Sequence, residues 1–148
     1  MNSLRKIIRE QIEKQLGGNH ILYSGVIIED PKEIEKLKQA SDEFVPSDWV
    51  RPDNYHMTIS LGPLPDSLKF RGDLNKEVTL KVTAYGQSEK AFAFKVTGYM
   101  TKGNLQHITM AYNPKEGGRP VDSNYITGWV PIKEFEVNGI IREIPRKQ

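Results

Sequence analysis

The order of apolar and polar positions divides the chain into a helical start and a strand-rich remainder. Over residues 3–16, Leu4, Ile7, Ile8, Ile12 and Leu16 recur at helical spacing with charges between them, and Gly17 and Gly18 supply a stop. This predicts an amphipathic helix within residues 1–18 whose Lys and Arg lie on a solvated face. The β-branched run "ILYSGVIIE" reads as a buried strand. In "DPKEIEKLKQASDEF", Asp30 is placed to cap a second helix, Pro31 opens it, and Ile34, Leu37 and Phe44 belong to its inner face.

From about residue 50 the period changes to two. "YHMTISLG" reads as a strand, and "PLPDSLKFRGDLN" as an irregular connection. "EVTLKVTAYGQ" and "KAFAFKVTGYM" form a hairpin turning at "SE", and "LQHITMAYN" is a further strand. After the turn-rich "PKEGGRPVDSN", "KEFEVNGIIREIP" closes the pattern as one strand or two short ones. Two helices packed on a mainly antiparallel sheet make an α+β fold. A length of 148 residues suits one domain spanning 1–148.

Composition removes several classes of function. The net charge of +2 provides no global field for an anionic partner, so any nucleic-acid affinity must come from a local site. The absence of cysteine excludes disulfides, thiolate metal sites and a cysteine nucleophile. "MNSLRKIIREQIEKQL" lacks the apolar core of a signal peptide, and no segment has the length of a membrane span. The expectation is a soluble cytoplasmic protein with no membrane partner.

Candidate chemistry sits in two strands. "YHMTIS" and "QHITMA" share the order His, apolar, Thr, apolar. Residues two apart on a strand face the same way, so His56 projects with Thr58, and His107 with Thr109, while Met57, Ile59, Ile108 and Met110 anchor the other face. One such tripeptide is weak evidence, because threonine is common in strands and a lone histidine is usually structural. Two of the chain's three histidines carry it, however, and that pairing is specific. His20, followed by Ile21 and Leu22, lacks the threonine and reads as structural.

Two imidazoles facing one phosphate can share acid–base work, a neutral one taking a proton from the nucleophile and a protonated one giving a proton to the leaving oxygen. Neighbouring hydroxyls can donate to the nonbridging oxygens as charge develops. The scheme needs no metal or other cofactor, and neither an "HExxH" spacing nor a cysteine is present to favour one.

The paired "HMT" and "HIT" resemble the signature of the 2H phosphoesterase superfamily, over roughly residues 20–144. "YSGVIIEDPKEIEKL" is similar to the opening strand and helix of that domain. "HITMAYNPKEGGRPVDSNYITGW" resembles the second motif and following turn of its repair-associated, Swiss Army Knife branch. The resemblance implies a bilobal fold with mainly antiparallel sheets, outer helices and an active site in the groove between lobes. It implies His56 and His107 as acid and base, without saying which is which, and Thr58 and Thr109 as phosphate ligands. The implied partner is a small cyclic nucleotide, a cyclic oligonucleotide or an RNA end bearing a 2′,3′-cyclic phosphate, with a viral counter-defence role among the possibilities. The separation of the two histidines is shorter than in RNA ligase-like members, and the N-terminal helix has no counterpart.

Trp49, Tyr55, Tyr112 and Trp129 are of a kind to stack on a base, and Arg51, Lys115 and Arg119 to meet phosphate. Tyr55 and Tyr112 have the opposite strand parity to the histidines, which favours core packing, and Tyr23 on the first strand is a further stacking candidate. "NPKEGGRPVDSN" offers backbone amides with Lys115, Arg119, Ser123 and Asn124 as a pocket wall, without the ending of a Walker loop. Two competing classes keep parts of this pattern: a module that binds a nucleotide without turnover, as a sponge or sensor, and a purely structural domain.

Overall fold

The computed structural model describes residues 20–101 and 106–146, so the expected helix within 1–18 lies outside the described residues. Strands β1 (Ile21–Ile28), β2 (Tyr55–Ser60), β3 (Glu77–Gln87), β4 (Ala91–Thr97), β5 (His107–Tyr112) and β6 (Trp129–Pro145) make one antiparallel sheet. It closes into a barrel in the order β1-β2-β5-β4-β3-β6. With helices α1 (Pro31–Asp42) and α2 (Leu68–Gly72), the architecture is α+β.

Period-two patterning sorts each strand into a core face and an outer face. Val26, Ile28, Met57, Ile59, Leu80, Val82, Phe92, Phe94, Ile108, Met110, Val137 and Ile141 form one buried cluster. Leu37 of α1 joins it, and Ile34 and Phe44 pack against its edge. Helix α1 starts as its sequence dictates, with Asp30 accepting a hydrogen bond from the Lys32 N–H and Pro31 in the first turn. The buried Glu33 carboxylate accepts from the Asn138 N–H at 2.7 Å, which fastens α1 to β6.

The β3–β4 hairpin turns at Ser88–Lys90, as its pattern predicts. Two elements differ from expectation. The stretch expected to be irregular contains α2, capped by Ser67 accepting from the Phe70 N–H. The last strand begins at Trp129 rather than Lys133, because β3 continues to pair with it through Gly86 opposite Trp129.

Strands β2 and β5 are joined through the pair Met57 and Ile108 alone, the narrowest pairing in the barrel. These two residues are fully buried. The polar residues on either side of each therefore emerge together on the opposite face.

Candidate active site at the β2–β5 seam

The pairing of Met57 with Ile108 fixes how the two motifs meet. Continued by one residue in each direction, an antiparallel register sets His56 beside Thr109 and Thr58 beside His107. All four side chains are half-buried, turned away from the core cluster. The two imidazoles thus lie diagonally across one seam, close enough for the charge of His107 to bear on His56.

His56 is held on two sides. The Tyr23 ring stacks on it with centroids 4.5 Å apart and planes 28° apart. Nδ1 lies 2.6 Å from the Asn54 side-chain oxygen, which also accepts from the Tyr23 hydroxyl at 3.2 Å. An amide oxygen only accepts, so Nδ1 carries the proton and Nε2 presents a lone pair. Burial, followed by the His107 charge, pushes the His56 pKa down to about 4, with the contact to Asn54 acting in the opposite sense. Near neutral pH His56 is a fixed, uncharged base. Burial also raises the Tyr23 phenol pKa, so its hydroxyl stays a donor to Asn54.

His107 has a different setting. Its cross-strand neighbour on β4 is Lys95, an exposed ammonium on the same face. Burial lowers the pKa of His107 as well. The two imidazolium charges repel each other equally, but burial depresses His56 the more strongly, which favours His107 as the one that holds a shared proton.

The threonines are not equivalent. Thr109 Oγ1 lies 2.9 Å from Ser123 Oγ and 3.3 Å from the Pro120 carbonyl, so it supports the 3-10 turn Pro120–Tyr125. Thr109 and Ser123 are thus joined by a hydroxyl–hydroxyl hydrogen bond, and Ser123 lines the cleft that contains His107. Thr58 stands opposite Gly25 of β1, where a β-carbon would come within 2.6 Å of the Met57 carbonyl oxygen. Glycine there allows β1 to lie tightly against β2 beneath Thr58.

Two clefts open from the seam. One of about 540 Å³ is lined by His56, Tyr23, Leu22, Pro52, Ile144 and Pro120 together with Asp53, Asn54, Pro145 and Arg146. The other, about 260 Å³, is lined by His107, Lys95, Gln106, Ser123, Asn124, Ile126 and Trp129. The turn Pro120–Tyr125 contributes to both.

Of the expected recognition groups, Tyr23, Ser123, Asn124 and Trp129 are therefore brought to the histidines, and others are not. Trp49 lines a separate surface cleft with Gln87, Ser88, Glu89, Asn113 and Glu116. Lys115 pairs with Asp48 at 3.0 Å on the exposed surface. Arg51 bonds Ser41, Asp42 and the Met110 carbonyl, tying α1 to β5. Arg119 caps the turn through its backbone N–H to Asp122, with its side chain exposed. Tyr55 packs in the core as its parity predicts, whereas Tyr112 is half-buried. His20 is exposed, and its carbonyl accepts from the Arg146 N–H at 2.6 Å.

Asn54 and Lys95 are site residues that the motifs alone do not indicate. Asn54 stands two before His56, in the bend that leads into β2, where strand parity does not apply. Lys95 reaches His107 only through the β4–β5 register, a non-local pairing with no local trace.

Among the described residues no group of three or more His, Asp or Glu side chains is arranged to hold a metal ion. None of their helices is long and apolar enough to cross a membrane. No protein-family model and no curated protein matches the sequence.

Proposed function

We propose that the protein is a metal-independent phosphodiesterase acting on cyclic nucleotides, cyclic oligonucleotides or 2′,3′-cyclic phosphate ends, with the β2–β5 seam as its active site. The observation that carries this reading is the adjacency of the two His-x-Thr strands, with Met57 opposite Ile108 and both imidazoles on the same face. The resemblance to 2H phosphoesterases supports it on the same four residues.

In the reaction, His56 Nε2 takes the proton of the attacking hydroxyl, either water or an adjacent 2′-hydroxyl. The new oxygen–phosphorus bond forms as the bond to the leaving oxygen breaks, and protonated His107 gives that oxygen its proton. With water on a 2′,3′-cyclic phosphate, the product is a phosphomonoester with one ribose hydroxyl freed. With a 2′-hydroxyl on an internucleotide linkage, the products are a 2′,3′-cyclic phosphate and a 5′-hydroxyl. In this reading Thr58 donates to a nonbridging oxygen from the seam face, and Ser123 and the Lys95 ammonium, which line the His107 cleft, lie on the other side of it.

A substrate panel with product identification by mass tests the reading. It spans 2′,3′-cyclic mononucleotides, cyclic di- and trinucleotides, 2′-5′ oligoadenylates and cyclic-phosphate-ended RNA. The expected result is turnover of at least one class, lost by about 10²-fold or more in His56→Ala and in His107→Ala. Recovery of intact ligand after long incubation identifies a binding module instead.

A further inference from the structure

We propose that the substrate carries a nucleoside on each side of the scissile phosphate, one in the His56 cleft and one in the His107 cleft. The inference rests on the phosphodiesterase reading and narrows its substrate class to internucleotide linkages. A mononucleotide with a 2′,3′-cyclic phosphate would occupy one cleft and leave the other unused.

The geometry favours two-sided occupation. The histidines do not share one pocket; each lines its own, and the seam between them is where a phosphate reaches both. Each cleft contains an aromatic ring, Tyr23 on the His56 side and Trp129 on the His107 side. Base stacking on such rings tolerates any base and contributes strongly to affinity.

The two clefts differ in chemistry. Leu22, Pro52, Pro120 and Ile144 make the His56 cleft the more apolar, and its volume of about 540 Å³ falls in the range of small-molecule sites. Lys95, Gln106, Ser123 and Asn124 make the smaller one polar, with donors and acceptors for a ribose or a base edge. Because His56 is the base and His107 the acid, the nucleoside nearer the nucleophile belongs to the apolar cleft. The nucleoside bearing the leaving oxygen belongs to the polar one.

Trp129 is seated by its neighbours. Gly86 lies opposite it across β3 and β6, and a β-carbon at Gly86 would come within 2.8 Å of the indole. The indole thus packs closely over the Gly86 backbone while remaining half-buried.

The test compares kcat/KM of the full chain on a 3′-5′ dinucleoside monophosphate, a cyclic dinucleotide and 2′,3′-cyclic mononucleotides. Leu22→Asn and Asn124→Ala, both uncharged changes, probe one cleft each at exposed positions. The expected result is a preference of about tenfold or more for a two-nucleoside substrate. Each variant is expected to weaken that substrate severalfold, mainly through KM, with the pH dependence of kcat retained. Mononucleotides cleaved as fast or faster, with both histidines required, would overturn the two-cleft assignment and leave the phosphodiesterase reading standing. Cleavage of no substrate, or cleavage that survives both histidine substitutions, would overturn that reading and the inference with it.

Discussion

A hydrogen bond to an amide oxygen decides what His56 can do. Asn54 accepts from Nδ1 and so leaves Nε2 as the working atom, while the Tyr23 hydroxyl holds the same amide oxygen in place. Asn54 and His107 of β5 bear on the His56 charge, Tyr23 of β1 stacks on its ring, and Asp53 and Arg146 are among the residues lining its cleft. In Asn54→Asp a carboxylate replaces the neutral acceptor and favours the imidazolium. The acid limb of kcat/KM is therefore expected to move up by about one to two pH units, read from a pH–rate profile. His56 also links stability to pH. The unfolded chain takes up this proton near its ordinary pKa of 6.5, the native one only near 4, so acid favours unfolding between those values. Denaturant titrations are expected to show up to roughly 3 kcal/mol lost as pH falls from about 6.5 to 4, and a smaller loss in His56→Gln. The single negative charge of a bound phosphodiester favours both imidazolium forms, so the acid limb of kcat lies at higher pH than that of kcat/KM.

At the level of elements, the site depends on close approach of strands and on one turn. A methyl group at Gly25 has to displace the Met57 backbone 2.6 Å away, a place where β1 and β2 cannot yield separately. Gly25→Ala is expected to cost on the order of 1–3 kcal/mol in thermal or denaturant unfolding, with a larger proportional loss of turnover because Thr58 moves with the strand. The turn Pro120–Tyr125 depends on Thr109 and Ser123 together. A double-mutant cycle of Thr109→Val and Ser123→Ala is expected to show coupling near 1 kcal/mol in stability, whereas independent residues would show additivity. The elements differ in how far the sequence reveals them. Helix α1 and the paired motifs are legible because capping and strand parity are local rules that act within a few residues. Asn54 lies in the bend before β2, outside the strand whose parity pairs His56 with Thr58, so no local rule points to it. The short α2 escapes because its prolines and glycine read as loop while a single serine cap suffices for one turn of helix.

For the molecule as a whole, barrel closure is what converts two scattered motifs into one seam. Nothing within "YHMTIS" or "QHITMA" says that β2 and β5 become neighbours, since β3 and β4 lie between them in sequence. The same non-local register brings Lys95 to His107, while Trp49 and Lys115, close to the motifs in sequence, end up beside a different cleft and an exposed ion pair. The α+β class follows from local periodicity, but a closed six-stranded barrel does not, because register and closure are set by long-range packing. Chemistry carried by two imidazoles predicts that exhaustive dialysis against a chelator leaves turnover unchanged; loss restored by a divalent ion would contradict it. The most direct test of the central claim is the pH dependence of kcat/KM for the wild type, His56→Ala and His107→Ala on one cleaved substrate. The account predicts a bell-shaped wild-type profile rising near pH 4 and falling below 6.5. It predicts that His56→Ala removes the acid limb and His107→Ala the alkaline one, each at a rate about 10²-fold or more lower. Wild-type rates in either variant, or a bell that survives intact in both, would contradict the assignment of the two histidines as an acid–base pair.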